Sequence, residues 1–94
     1  MSGRVATRVV IEGRVQGVWY RGWTVEQARS RGLVGWVRNR ANGTVEALFC
    51  GPQDVVRAMV EACRQGPPAA RVDAIREIPG DVVEGGTFEQ LPTV

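Results

Sequence analysis

Residues 11–21, Ile-Glu-Gly-Arg-Val-Gln-Gly-Val-Trp-Tyr-Arg, carry the end of an alternating segment into a glycine-bearing loop that stops at Arg21. The segment before the loop, residues 8–15, alternates apolar and polar side chains with the period of a half-buried strand. The segment after it, residues 22–31, contains no proline and is followed by Gly32, a typical helix stop. A strand, a loop and a helix are therefore predicted in succession.

The chemistry of this loop indicates an anion site. Gly13 and Gly17 allow backbone conformations that turn successive amide N–H groups inward, and a helix beginning after Arg21 adds the positive end of its dipole. An arginine guanidinium pairs bidentately with phosphate. Taken alone, however, a glycine pair more often marks a bulge and a turn, and the spacing is neither G-x-G-x-x-G nor a Walker loop.

A β-hairpin is predicted next. Residues 33–40 and 44–50 are rich in strand-forming side chains, and they flank Asn42-Gly43, a pair that tolerates positive φ. Asn39, near the end of the first of these strands, would ordinarily be a turn or strand-end residue, just as a lone arginine is ordinarily a solvated surface charge.

The rest of the chain predicts a helix and two strands. Pro52 suits the first position of a helix, whose apolar stripe is Val56, Met59, Val60 and Cys63 and whose end is residues 66–68. Residues 71–78 and 87–91 are predicted strands, with a loop over residues 81–86. The order predicts an α+β, ferredoxin-like βαββαβ sandwich, in which two helices cover one face of an antiparallel sheet and a short C-terminal strand follows.

Composition limits the chemistry. Ninety-four residues suit one domain, every basic residue is an arginine, and histidine and lysine are absent. The missing residue types exclude Ser-His-Asp, Cys-His and Schiff-base catalysis and the P-loop lysine. The net charge of +2, spread along the chain, is too small to indicate nucleic-acid binding.

The two cysteines and the N-terminus bear on location. Cys50 and Cys63 lack metal-site spacing, and no secretory signal precedes them, so we expect reduced thiols that pack as small apolar residues. No apolar run reaches membrane-spanning length. The sequence therefore predicts a cytoplasmic protein.

Two segments together resemble the signature motifs of the acylphosphatases. Residues 13–21, Gly-Arg-Val-Gln-Gly-Val-Trp-Tyr-Arg, resemble the first motif. Residues 35–39, Gly-Trp-Val-Arg-Asn, resemble the second, together with Gly43, Val45 and Gly51. Two long motifs in the right order make the resemblance specific, and together they outweigh the ordinary interpretations of their single residues.

The resemblance covers residues 7 to 91 approximately, so it implies a single acylphosphatase-like domain over residues 1–94 with its core at about 7–91. Tyr20 departs from the pattern, since the family usually has phenylalanine at this position. The added hydroxyl is expected to affect packing and not the reaction.

The resemblance implies hydrolysis of acyl phosphates, R-CO-O-PO₃²⁻, to a carboxylate and inorganic phosphate. Carried over residue by residue, it makes Arg21 the ligand of the substrate phosphate and Asn39 the residue that orients the attacking water. Backbone amides of the loop would hold the phosphate oxygens; they belong to Arg14, Val15, Gln16, Gly17, Val18, Trp19 and Tyr20. Because the leaving group is good and the phosphate itself can take the proton of water, neither a metal ion nor a cofactor is expected.

The implied partners are a small-molecule acyl phosphate and inorganic phosphate as product, with no nucleic acid and no membrane, and we expect a monomer. One alternative is a binding module without catalysis, because ferredoxin-like sheets also recognise RNA. The aromatic consensus of such sheets is absent from residues 44–50, which contain one aromatic residue. A third possibility, an acylphosphatase-like domain acting within a larger maturation enzyme, ranks last.

Overall fold

The computed structural model describes residues 3–94; of the domain predicted over residues 1–94, Met1 and Ser2 lie outside the described residues. Its elements, in chain order, are β1 (Arg4–Arg14), α1 (Tyr20–Ser30), β2 (Val34–Asn39), β3 (Val45–Pro52), α2 (Gln53–Gln65), β4 (Arg71–Pro79) and β5 (Phe88–Gln90). The strands form one sheet in the order β4-β1-β3-β2-β5. The order of the elements and the mostly antiparallel sheet confirm the predicted α+β, ferredoxin-like fold, although the short C-terminal strand β5 runs parallel to β2.

Three of the differences from the predicted bounds bear on strand pairing or on the site. β1 begins at Arg4, and not at residue 8, because its first residues pair with the end of β3, Arg4 opposite Pro52. That pairing also keeps Pro52 in the sheet, so that it forms the N-cap of α2 and Gln53 is the first helical residue. α1 begins at Tyr20, and not at residue 22, which places Arg21 inside the first turn of the helix.

The core lies between the helices and the inward face of the sheet. From β1 to β3 this face alternates as predicted, and Val9, Ile11, Val37, Val45, Ala47 and Phe49 are fully buried. The predicted stripe of α2, Val56, Met59, Val60 and Cys63, is buried against it. Phe88 of β5 stacks on Phe49 with ring centroids 5.4 Å apart. These contacts fix both helices on one face of the sheet.

A β-bulge turns the chain out of β1. The register between β1 and β4 shifts between Glu12 and Gly13, and Gly13 has a φ of 130°. A side chain at Gly13 would collide with the carbonyl group of Arg71. The bulge therefore needs glycine, and it directs the following loop across the end of the sheet. No helix within residues 3–94 is long and apolar enough to cross a membrane.

Candidate active site

A cavity of about 180 Å³ opens where the loop between β1 and α1 meets the end of β2. Eight residues line it: Val15, Gln16, Gly17, Trp19, Arg21, Gly22, Asn39 and Gln90. The two residues predicted to carry the chemistry, Arg21 and Asn39, therefore share one cavity although eighteen positions separate them in the chain. Four of the predicted loop residues lie beside them.

Arg21 projects from the first turn of α1 and is half-buried. Within residues 3–94 no carboxylate lies within salt-bridge distance of its guanidinium, although several other arginines of the chain are paired. A guanidinium without an internal partner at the wall of a cavity is available to an anion, which it can bind through two parallel N–H donors.

The backbone of the loop takes left-handed conformations at two positions. Gly17 has a φ of 74° and Trp19 a φ of 65°, and Trp19 is the one described residue other than glycine with a positive φ. Alternation of this kind makes successive N–H groups converge, and Trp19 caps α1 without a side-chain hydrogen bond. The first amides of α1 therefore point outward without intrahelical acceptors, which favours an anion at this place.

Gln16 fixes the loop to the neighbouring hairpin. Its side-chain Nε2 donates to the carbonyl oxygens of Arg40 at 2.8 Å and of Thr44 at 2.9 Å. Both carbonyls belong to the turn between β2 and β3, directly after Asn39. The loop that carries the amides and the strand end that carries Asn39 are thereby held together.

Asn39 is the last residue of β2, and its side chain is largely buried, with 9% of the residue exposed. Its Oδ1 has no hydrogen-bond partner among residues 3–94. Such a buried acceptor carries a desolvation cost, and because Asn39 lines the cavity, a bound molecule that donates a proton would relieve that cost. Arg38 and Arg40, on the outward face, are both paired with Glu46 and do not line the cavity.

Three of the predicted loop residues lie away from the cavity. Arg14 is exposed at the end of β1, where its backbone lies opposite that of Arg71 in β4. Val18 packs against the core. Tyr20 is 1% exposed, and its hydroxyl donates to the carbonyl oxygen of Cys63 at 2.6 Å. Burial raises the pKa of this phenol above its ordinary value, so the hydroxyl is a structural donor.

Sequence reasoning missed two lining residues, Gly22 and Gln90. Gln90 reaches the cavity because β5 pairs in parallel with β2, Gln90 opposite Val37. A three-residue strand without a motif gives no sequence signal of this pairing. Gly22 could have been found from its place in the first turn of the helix, beside Arg21.

The acylphosphatase family model matches residues 7–89, which is most of the chain. The chain belongs to the acylphosphatase family. An acylphosphatase from Rhodospirillum rubrum is 60% identical over 86 residues, which span 92% of this chain and 94% of the relative. Membership makes the chain a hydrolase that acts on acid anhydrides, as the sequence motifs predicted.

Solved structures agree with this assignment. The acylphosphatase of Bacillus subtilis superposes with a TM-score of 0.87 at 36% identity, over 93% of this chain and 98% of that one. An acylphosphatase from Coxiella burnetii superposes with a TM-score of 0.89 at 31% identity, over 94% and 93% of the two chains. The likeness thus extends over more than nine-tenths of the chain.

Proposed function

We propose that the chain hydrolyses the carboxyl–phosphate bond of small acyl phosphates without a metal ion, with Arg21 and the loop amides holding the phosphate and Asn39 orienting the attacking water. One observation carries the proposal. Arg21, whose guanidinium has no carboxylate partner within residues 3–94, and Asn39, whose buried Oδ1 has no hydrogen-bond partner among the same residues, line one cavity, so that an anion and a proton donor have adjoining places.

The phosphate is held by positive charge and by amide donors. The Arg21 guanidinium takes two phosphate oxygens, and amides of the loop over residues 14–20 take others; the positive φ angles of Gly17 and Trp19, which both line the cavity, support this because such positions favour an anion-binding arrangement of N–H groups. Phosphoryl transfer passes through a charge-dispersed transition state with the attacking and leaving oxygens in line. Donors fixed before the reaction stabilise that charge without reorganising.

Water supplies the nucleophile, and Asn39 orients it. Its Oδ1 accepts a hydrogen bond from the water, whose oxygen lone pair then faces the phosphorus atom opposite the acyl oxygen. The new P–O bond forms as the bond to the acyl oxygen breaks, the carboxylate leaves, and the proton of water passes to a phosphate oxygen. No side chain needs to change protonation, which agrees with a chain that contains no histidine.

The proposal includes a monomeric, cytoplasmic enzyme that binds no nucleic acid and no membrane. A net charge of +2 without a run of like charges supports this, because nucleic-acid and anionic-lipid surfaces are bound by clustered positive charge. Among residues 3–94, the exposed large hydrophobic residues are few: Trp19, Val82, Val83 and Val94.

The test is phosphate release from benzoyl phosphate by the purified protein in EDTA, with Arg21→Ala and Asn39→Ala variants. We expect metal-free turnover that Arg21→Ala removes together with phosphate binding. Asn39→Ala should cost on the order of 10²–10³ in rate, the scale for one positioned polar group, while inorganic phosphate still binds.

Two control variants remove the same functional groups elsewhere. Arg57→Ala deletes an exposed guanidinium of α2, and Gln53→Ala deletes an exposed carboxamide of the same helix, and neither residue lines the cavity. Both should retain full turnover. Unchanged phosphate affinity in Arg21→Ala, or near-normal rate in Asn39→Ala, would contradict the assigned roles. A folded protein without turnover would contradict the proposed activity.

A further inference from the structure

Trp19 is the large apolar residue at the mouth of the cavity. The residue is 59% exposed, more than the other large hydrophobic residues that are exposed among residues 3–94, and it lines the same cavity as Arg21. Its backbone is left-handed, with a φ of 65°, a conformation that is costly for a bulky residue. An exposed indole in a strained backbone at a reaction cavity is explained neither by core packing nor by the binding of phosphate.

The indole of Trp19 packs against Gly22. A Cβ atom at Gly22 would collide with Nε1 of Trp19 and would lie 2.7 Å from its Cδ1 and 2.9 Å from its Cε2. The ring therefore rests against the backbone of the first turn of α1, where any larger residue would displace it. The glycine fixes the position of the indole while most of the residue's surface remains open to solvent.

The size of the cavity places the acyl group beside this ring. At about 180 Å³ the cavity is smaller than the roughly 300–1,000 Å³ that enclose a drug-sized ligand. A cavity of this size suits a phosphate group, and Arg21, the proposed phosphate ligand, lines its wall. The acyl part of a bound substrate must then extend to the mouth, where Trp19 offers an apolar, aromatic surface and Gln90 a polar one.

We propose that the Trp19 indole, which packs against Gly22, binds the acyl group of the substrate and makes the enzyme prefer aromatic or extended apolar acyl phosphates over acetyl phosphate. This inference rests on the proposed function and names its substrate class. Trp19 contributes through its side chain to the acyl group and through its amide to the phosphate, and the two contributions are separable by substitution.

Substitutions at Trp19 and Gly22 distinguish the contribution of the indole side chain from that of the Trp19 amide. Trp19→Asn removes the ring but keeps the amide and a residue that tolerates the left-handed backbone, and Trp19→Tyr keeps an aromatic ring. Gly22→Ala displaces the indole without removing it. If Gly22→Ala changes acyl preference only by moving the indole, it should add nothing to that preference in a protein that already carries Trp19→Asn.

The measurement is kcat and KM for benzoyl phosphate and for acetyl phosphate, together with the inhibition constant of inorganic phosphate. In Trp19→Asn the ratio of kcat/KM for benzoyl over acetyl phosphate should fall by about 2- to 10-fold, the change that an aromatic contact of about 0.5–1.5 kcal/mol produces at 1.4 kcal/mol per factor of ten. A disturbance of the phosphate-binding loop would change kcat/KM for both substrates, and the inhibition by phosphate, by a common factor, so the ratio of the two substrates reports on the acyl contact. Trp19→Tyr should retain most of the ratio.

Binding of phenylphosphonate and methylphosphonate, measured by calorimetry, tests the same preference without turnover. Wild type should prefer phenylphosphonate, and Trp19→Asn should lose that preference. Equal losses for both substrates, or an unchanged ratio with intact turnover, would overturn the inference and leave the proposed function standing. Absence of turnover in the wild type would instead contradict the proposed function, and the phosphonate affinities would still decide the role of Trp19.

Discussion

The side chain of Gln16 donates a hydrogen bond from Nε2 to the backbone carbonyl oxygen of Arg40 at 2.8 Å, across 24 positions of the chain. Gln16 belongs to the loop that cradles the cavity, and Arg40 directly follows Asn39. The bond therefore joins the two halves of the site, the loop proposed to bind phosphate and the strand end with Asn39, whose Oδ1 has no hydrogen-bond partner among residues 3–94. A site that works by positioning depends on such connections.

We predict that Gln16→Ala lowers kcat/KM for every acyl phosphate and weakens phosphate binding, because the loop is no longer held against the hairpin. The loss of stability should be small, about 1 kcal/mol, because both carbonyls keep other donors, the N–H of Gly43 for Arg40 and the N–H of Arg40 for Thr44. Kinetics and urea unfolding measure the two effects. Gln65→Ala, at an exposed residue of α2, is the matched control. A variant that is destabilised but fully active would show that the tether serves the fold alone.

Tyr20→Phe should lower the stability of the fold and leave the activity unchanged. The Tyr20 hydroxyl donates at 2.6 Å to the carbonyl of Cys63, one of the last four carbonyls of α2, which have no intrahelical donor. Removing it leaves a buried acceptor unpaired, at a cost of about 1–3 kcal/mol. At about 4–8 °C per kcal/mol for a domain of this size, calorimetry will detect the lower Tm.

The kinetic constants of Tyr20→Phe should equal those of the wild type, because the hydroxyl points away from the cavity. A large fall in kcat with an unchanged Tm would contradict this structural role.

The thiol of Cys63 should stay unmodified by alkylating reagents in the folded protein, since burial raises its pKa to about 12.

Glu46 is predicted to make stability depend on acid pH. It is 2% exposed on the outward face of β3, and its carboxylate is bonded to Arg8 at 2.7 Å, Arg38 at 2.8 Å and Arg40 at 2.9 Å. Burial by itself raises the pKa of this carboxyl, but the three guanidinium hydrogen bonds outweigh it and hold the pKa below its ordinary value. The folded state therefore binds the Glu46 proton less readily than the unfolded state does.

The lowered pKa determines the direction in which the stability of the fold changes with pH. The stabilisation by Glu46 is fully present above the unfolded-state pKa and is lost as the pH falls from there through the folded-state pKa. Glu46→Gln should therefore lower the free energy of unfolding at neutral pH, by about 1–3 kcal/mol, and flatten its decline in acid. Urea unfolding at several pH values between about 7 and 3 measures both. Glu12→Gln, which removes a more exposed carboxylate 3.8 Å from Arg76, should leave the acid decline nearly unchanged. Equal slopes for wild type and Glu46→Gln would exclude the mechanism.

The sequence predicted the parts of the site that follow from topology. Once the split βαβ order is inferred, the loop after β1 and the end of β2 must meet, and Arg21 and Asn39 do meet there. The burial of Glu46 by three arginines was not predictable, because two of these lie on other strands and the cluster depends on register.

Other features were missed because tertiary contacts, and not local preferences, determine them. A left-handed tryptophan as helix N-cap contradicts propensity, so the start of α1 was placed two residues late. Gln16 lies in a loop where glutamine has no diagnostic local role, and its partners lie in another hairpin. The residues after β5 carry no motif at all, yet they continue beside β2 as far as Asn39.

That last contact gives a final prediction. The N–H of Val94 donates to the carbonyl oxygen of Asn39 at 3.1 Å, and the N–H of Ala41 donates to the carbonyl oxygen of Val94 at 2.6 Å. The backbone of Val94 thus bonds to the carbonyl group of Asn39 and to the amide of Ala41, directly after the Asn39 side chain. Deleting residues 92–94 should lower kcat, because Asn39 loses its fixed position, while phosphate binding through Arg21 persists.

Val94→Ala is the matched control for this deletion. Val94 is 52% exposed, and the substitution keeps the backbone groups that contact Asn39 and Ala41, so kcat should remain near the wild-type value. Steady-state kinetics, with phosphate as competitive inhibitor, separate the loss of rate from the loss of affinity. If the deletion weakened phosphate binding as much as it lowered kcat, the terminal segment would support the whole site. If Val94→Ala reproduced the deletion, side-chain packing and not the backbone bonds would be responsible.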